Sequence, residues 1–338
     1  MRVYLGDRVV VRYRLGERSP ADWRPTPNPN PTPGSTLPAL SDITGILRDG
    51  GDPMIVERDG TPESIPASAV VSVRVLSRVT VRNSEIRALE TAAAKAWPGV
   101  ESAWIGGWLV RAGGGFTRRA NSAVPLDLGA RADAETLAAI GAWYSARGLP
   151  TLLAVPERLL PGNRIGTPAS GEVQILVRDI AFPDDTSDGD LLDGVLFDSV
   201  PTSDWLRAYR GDNVDTDIAA AVVSAVDGAV TFASVHDADG ALTAIGRGAV
   251  TRDPDGTAWL GITALWTRPD TRRRGLSSQV VHALIAWGSA AGATRGYVQV
   301  EADNEIAGNW YRRLGFGLHH RSRYERLDPP DIASDDLR

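Results

Sequence analysis

The sequence predicts an α/β (α+β) protein in which a mixed sheet is flanked by helices, arranged as tandem lobes and preceded by a small β-barrel. Three observations carry this. Between Trp259 and Phe316 an apolar strand, an arginine-glycine turn, a long amphipathic segment and a second strand follow one another, the order of a parallel strand-helix-strand crossover. Residues 140–155, IGAWYSARGLPTLLAV, echo residues 285–300, IAWGSAAGATRGYVQV, in their Ala-Trp, small polar run, glycine and apolar strand, which predicts two related lobes. The opening residues instead alternate apolar and polar positions between Asp-Gly turns, the pattern of short antiparallel strands.

Composition narrows the chemistry. A chain of 338 residues exceeds the usual single core, so two or three domains are expected. No run of about 18 apolar residues is present to span a bilayer, and the start MRVYLGDRVV lacks the layout of a signal peptide, so a cytoplasmic protein without a membrane partner is expected. The absence of cysteine excludes disulfides, thiolate catalysis and cysteine-held zinc. The net charge of −6 argues against a general nucleic-acid binder. Its distribution is uneven: residues 181–270 hold 16 acidic and 5 basic residues, whereas residues 271–326 hold 9 basic and 4 acidic. A basic patch thus coincides with the glycine turn.

In chain order, Val3, Leu5, Val9–Val11 and Tyr13 form a first strand, and Ile43–Leu47, Met54–Glu57 and Val70–Val75 form others, which makes residues 1–78 a small barrel. The intervening Pro25–Pro38 is an extended solvated loop. From Ser84 to Ala96 the stripe Ile86, Leu89, Ala93, Trp97 predicts a helix ended by Pro98-Gly99. Two strands around the Gly113-Gly114-Gly115 bend and a helix over Ala134–Ala146 complete a first lobe, residues 79–182. The glycines of that bend read as suppliers of positive φ rather than as a ligand loop. An acidic stretch, residues 183–193, marks the boundary of the last domain, residues 190–327. There a strand at Val195–Val200, helices between Trp205 and Ser224, and antiparallel strands at Val230–Val235, Ala244–Val250 and Trp259–Thr267 lead to the crossover. Residues 328–338 are an acidic tail.

The strand Trp259–Thr267 stops at Arg268-Pro269, which cannot continue a ladder. Arg272-Arg273-Arg274-Gly275-Leu276-Ser277 then opens a helix whose Leu276, Val280, Leu284 and Trp287 share a stripe. The first turn of such a helix has unpaired N–H groups at the positive end of the dipole, and a glycine there lets backbone approach a phosphate. The turn is neither the dinucleotide fingerprint nor the nucleotide loop ending in Gly-Lys-Ser/Thr, so another phosphate ligand is required. The first lobe has no arginine-glycine turn before its helix and would keep the fold without this site.

These residues resemble the GNAT superfamily of acyl-CoA-dependent N-acyltransferases, whose pattern is R/Q-x-x-G-x-G/A and, later, N-x-x-A-x-x-x-Y-x-x-x-G-F. Here it reads Arg272-x-x-Gly275-x-Ser277, then Asn304-x-x-Ala307-x-x-x-Tyr311-x-x-x-Gly315-Phe316, with Ser277 as a mild departure. The opening segment resembles an SH3-like domain, and the whole chain is similar to an actinobacterial group described as N-acetylglutamate-synthase-like or histone-acetyltransferase-like. The resemblance implies acetyl-CoA as co-substrate. Backbone groups of Leu265, Trp266 and Thr267 would pair with the pantetheine arm, and N–H groups from Arg273 to Ser277, including Arg274, Gly275 and Leu276, would hold the pyrophosphate with Arg272 nearby. Asn304 would contact the arm or orient the following helix, and Tyr311 would be the proton donor to the thiolate.

The base is less determined, because the strand WLGITALWT has no carboxylate. Glu301, on the same face of the next strand as Gln299, is the candidate, with an arginine-paired surface carboxylate as the alternative. The four histidines suggest no metal site: His319 and His320 are neighbours on a strand and should face opposite ways, His236 lies in an acidic turn and His282 on the helix. Trp266, Trp287 and Trp310 read as core or pocket wall. The expected activity is direct acetyl transfer to a primary amine, a small molecule or amino acid such as glutamate being favoured. A protein lysine acceptor and a non-catalytic CoA sensor or scaffold are the alternatives. The acceptor half of the site is expected from the acidic strands before Trp259 and from the first lobe.

Overall fold

The computed structural model describes residues 7–15, 40–76, 81–160, 165–180, 194–212 and 215–327. Val3, Leu5, the loop expected at Pro25–Pro38, the acidic stretch 183–193 and the tail 328–338 lie outside the described residues. The chain divides into two units, Met1–Thr80 and Val81–Arg338.

The first unit is a five-stranded antiparallel sheet of β1 (Arg8–Arg14), β2 (Leu40–Asp49), β3 (Met54–Arg58), β4 (Thr61–Ile65) and β5 (Val70–Leu76), in the order β4-β3-β2-β1-β5. Alternation sets its register: Val9, Val11 and Tyr13 of the central strand β1 are buried with Ile43, Leu47, Val56 and Val75. Asp59 and Gly60, both at positive φ, make the tight turn between β3 and β4.

The second unit begins with α1 (Asn83–Ala96), then β6 (Glu101–Ile105), β7 (Trp108–Ala112), β8 (Val124–Pro125), α2 (Ala134–Ser145), β9 (Thr151–Pro156), β10 (Thr167–Pro168) and β11 (Val173–Asp179). It continues with β12 (Val195–Asp198), α3 (Ser203–Arg210), α4 (Thr216–Ser224), β13 (Ala229–His236), β14 (Leu242–Arg252) and β15 (Ala258–Thr267). Last come α5 (Leu276–Ala290), β16 (Arg295–Glu301), α6 (Glu305–Arg313) and β17 (Gly317–Leu327).

Two series of elements repeat. Strands β13, β14 and β15 are antiparallel neighbours, and α5 crosses over to β16, which runs parallel to β15. Strands β6, β7 and β8 are likewise antiparallel, and α2 crosses over to β9, joined in parallel to Ala123 beside β8. The echoing segments 140–155 and 285–300 occupy corresponding places, α2 to β9 and α5 to β16. The last strand of each series is exchanged: β16 pairs with β11, β9 pairs with β17, and β11 and β17 pair with each other. Strands on either side of residues 183–193 therefore share one sheet, and the boundary expected there does not separate two sheets.

Helix α1 seals this arrangement. Its Leu89, Ala92 and Ala93 pack with Val173, Ile175, Trp259, Tyr297 and Tyr324, which come from both series. Arg247 on β14 is fully buried, and its guanidinium donates to Val223 O (2.7 Å), Ala96 O (2.9 Å) and Ala225 O (3.3 Å). These are carbonyls at the C-terminal ends of α4 and α1, which lack intrahelical donors and attract a cation.

Candidate active site

The site is a cleft of about 830 Å³ that opens where β15 and β16 part. Their parallel ladder covers only Trp259–Arg295, Leu260–Gly296 and Gly261–Tyr297. Beyond Gly261 the β16-facing edge of β15 has no strand beside it among the described residues. A bulge contributes: the β14–β15 register shifts between Ile245 and Arg247, and Ala264 takes a left-handed φ of 54°. Such a bulge bends and twists its strand. A left-handed alanine is strained by about 1 kcal/mol or more, and surrounding packing must hold it.

After Thr267 a short turn leads through Arg273, at φ 63°, to Gly275, at φ 86°, which is the N-cap of α5. A Cβ built on Gly275 would meet no atom within 4 Å, so glycine answers the backbone angle and leaves one side of the turn open. The first helical bond runs from Gln279 N–H to Gly275 C=O, so the N–H groups of residues 276–278 have no acceptor within the helix. Ser277 Oγ lies 2.7 Å from Thr267 Oγ1 and ties the turn to the end of β15.

Of the expected site residues, Leu265, Trp266, Thr267, Arg272, Ser277, Asn304, Glu301 and Tyr311 line one cleft. Arg273, Arg274 and Gly275 of the adjoining turn and Leu276, which opens α5, do not line it. Arg272 leans back on the strand, donating from Nε to Thr267 O at 3.3 Å. Asn304 caps α6, its side chain accepting from Ala307 N–H at 3.1 Å. Trp310 donates to Ser278 Oγ at 3.2 Å and joins α6 to the first turn of α5.

Tyr311 is 9% exposed, packed at the edge of Phe316 with ring centroids 5.7 Å apart, and its hydroxyl has no hydrogen-bond partner among the described residues. Burial pushes its phenol up to about 12, against the opposing charge of Arg119. At neutral pH it is therefore protonated. Glu301 forms an ion pair with Arg118, the arrangement weighed against its role as a base.

Sequence reading looked to the acidic strands and the first lobe for the opposite wall but named no residue of it. Gly115 to Arg119 line the cleft together with Tyr209, Arg210 and Tyr324, whereas no acidic residue between 190 and 258 does so among the described residues. The Gly113-Gly114-Gly115 bend therefore has a part beyond its turn geometry: it carries the following residues onto the cleft. Asn121, 4% exposed, pins this loop by accepting from Gly113 N–H (2.8 Å) and Gly115 N–H (2.9 Å) and donating to Thr117 O (2.7 Å). Arg119 Nε donates to Gln299 Oε1. The glycine run was the available signal, but the partner strand lies about 180 residues away.

His319 and His320 also depart from expectation. A register shift beside Ile175 turns them towards each other, with Nδ1 atoms 2.8 Å apart, and His320 Nε2 lies 2.8 Å from Glu90 Oε1. Burial, with His320 beside it, drives His319 down to about 3. Trp266 and Trp310 are cleft walls.

The strand edge, the open glycine turn and the helix start fit an extended arm ending in a pyrophosphate. Among the described residues no helix is long and apolar enough to cross a membrane. Residues 83–325 match the family described as probable histone acetyltransferase Rv0428c C-terminal. The probable histone acetyltransferase Rv0428c of Mycobacterium tuberculosis is 39% identical over 326 residues, covering 95% of this chain and 94% of that protein. An uncharacterized N-acetyltransferase, YobR, of Bacillus subtilis is 25% identical over 256 residues, covering 72% of this chain and 99% of that protein. A GCN5-related N-acetyltransferase structure from Kribbella flavida is 17% identical with a TM-score of 0.48, covering 75% of this chain and 99% of that one. The chain belongs to the family of the Rv0428c C-terminal region and is an N-acyltransferase.

Proposed function

We propose that the protein moves the acetyl group of acetyl-CoA directly to a primary amine in a ternary complex, with a small amine as acceptor. The observation that carries this reading is the parting of β15 and β16 beside the open turn at Gly275. The unpaired edge at Leu265, Trp266 and Thr267 pairs with the pantetheine arm as an added strand. The N–H groups from Arg273 to Ser277 hold the pyrophosphate, and Arg272 adds charge beside them. Asn304 fixes α6, and α6 sets Tyr311 against the thioester sulfur.

In the transfer a C–N bond forms at the carbonyl carbon and the C–S bond breaks. The nitrogen loses a proton to Glu301 or to water, and Tyr311 supplies the proton that leaves CoA as a thiol, regaining one from solvent. With no cysteine in the chain, no acyl-cysteine intermediate forms. Tyr311→Phe is expected to lower kcat by about 100-fold, the usual scale for a lost general acid, without changing acetyl-CoA affinity. Undiminished turnover of that variant would remove Tyr311 from the mechanism.

A second reading, a protein lysine as acceptor, is favoured by the description of the Mycobacterium tuberculosis relative as a probable histone acetyltransferase. Initial rates with amino acids and with lysine peptides, compared at equal concentration, separate the two.

A further inference from the structure

The lining of the cleft is cationic. Arg118, Arg119, Arg210 and Arg272 line the cleft, and Glu301 is the one carboxylate among its described lining residues. Arg118 is committed to Glu301, and Arg272 lies at the turn end against Thr267 O. Two guanidinium groups remain. Arg119 donates from Nε to a neutral amide, Gln299, and its Nη groups have no partner among the described residues. Arg210 lies over the rings of Phe116 (5.2 Å) and Tyr209 (5.0 Å) and has no carboxylate partner among the described residues. Arg119 is also positioned firmly, because Asn121 and the β16 residue Gln299 hold its loop from both sides.

We propose that the acceptor is a small primary amine carrying an anionic group, a carboxylate or a phosphate, and that Arg119 with Arg210 seats that anion. The inference rests on the transferase reading above and names its substrate class. A planar guanidinium with a free fork of N–H donors matches a carboxylate or phosphate in paired hydrogen bonds. The same positive charge disfavours the ammonium form of a nearby amine, so it promotes the neutral nucleophile. A lysine-rich polypeptide brings further cations to this wall and leaves the Arg119 fork unpaired, so it is a poor acceptor.

The test is kcat/KM at saturating acetyl-CoA for amino acids against their carboxamides, O-phosphoethanolamine against ethanolamine, and a lysine-rich peptide. At least one anionic amine is expected to exceed its neutral counterpart by about 10- to 100-fold, the range of a hydrogen bond to a charged group. The carboxylate and phosphate arms distinguish the two anions. In Arg119→Gln that ratio falls towards one. Calorimetric titration of the preferred acceptor and its neutral counterpart into the CoA-loaded protein gives the same ratio without turnover. Equal use of acid and amide, or preference for the peptide, overturns the anionic acceptor and leaves the transferase reading in place. Binding of acetyl-CoA with no transfer to any amine removes both.

Discussion

Individual side chains here do their work through what they lack as much as what they touch. Arg247 donates from Nε and Nη2 to three carbonyls, its Nη1 is buried without a hydrogen-bond partner and no carboxylate pairs with it among the described residues, and its guanidinium carbon lies 4.3 Å from the Trp97 ring centroid. Burial brings it down to about 10, so it stays charged at neutral pH. Arg247→Met leaves those carbonyls unpaired and is expected to cost about 3 kcal/mol or more in denaturant unfolding. Tyr311, at about 12, keeps its proton across the ordinary assay range. The rate should therefore rise with pH as the acceptor amine loses its proton, with no falling limb from this group below about pH 11. His319 titrates in the opposite sense. Its folded value of about 3 lies below the ordinary histidine value of 6.5, so the unfolded chain binds the proton first as pH falls. Stability is thus lost progressively from about pH 6.5 towards 3, and His319→Asn should flatten that slope in thermal unfolding.

At the scale of elements, the cleft depends on how closely α5 lies on the sheet. A Cβ on Gly246, opposite the bulge in β15, would come within 2.6 Å of Val280 and 2.9 Å of Leu265. Gly246→Val should force α5 and the turn at Gly275 outward, costing about 1–3 kcal/mol by overpacking and raising KM for acetyl-CoA. Helix α6 depends on its cap: Asn304→Ala should lose about 1 kcal/mol of stability and Asn304→Asp should restore it. Most of this was legible. The strand before Arg268, the helix after Gly275 and the capping position of Asn304 follow from periodicity, a left-handed glycine and local side-chain chemistry. The bulge was not, because Ala264 has no sequence mark of positive φ, and it is held in a core cluster with β14, α3, α4 and the end of α1. The pairing of His319 with His320 was missed for the same reason, since a one-residue shift against β11 redirects both rings.

For the whole molecule, the decisive feature is the exchange of β11 and β17 between the two series. Residues 190–327 alone would lack β11 and leave facing edges of β16 and β17 unpaired. That fragment is expected to be aggregation-prone and without a cooperative thermal transition, whereas the full chain has one for residues 81–327. Soluble, cooperatively folding 190–327 would contradict this.

The half of the cleft proposed for acyl-CoA was written in the sequence by itself, because strand, turn and helix start are contiguous between Trp259 and Ser277 and each obeys local rules. The wall proposed to seat the acceptor was decided by tertiary structure. Acidic strands adjacent in sequence supply none of its charge; the wall comes from Arg118 and Arg119, with Arg210 at the end of α3. The reason is physical: strand exchange brings the loop of one series onto β16 of the other, and pairing between segments so distant leaves no periodic trace in either.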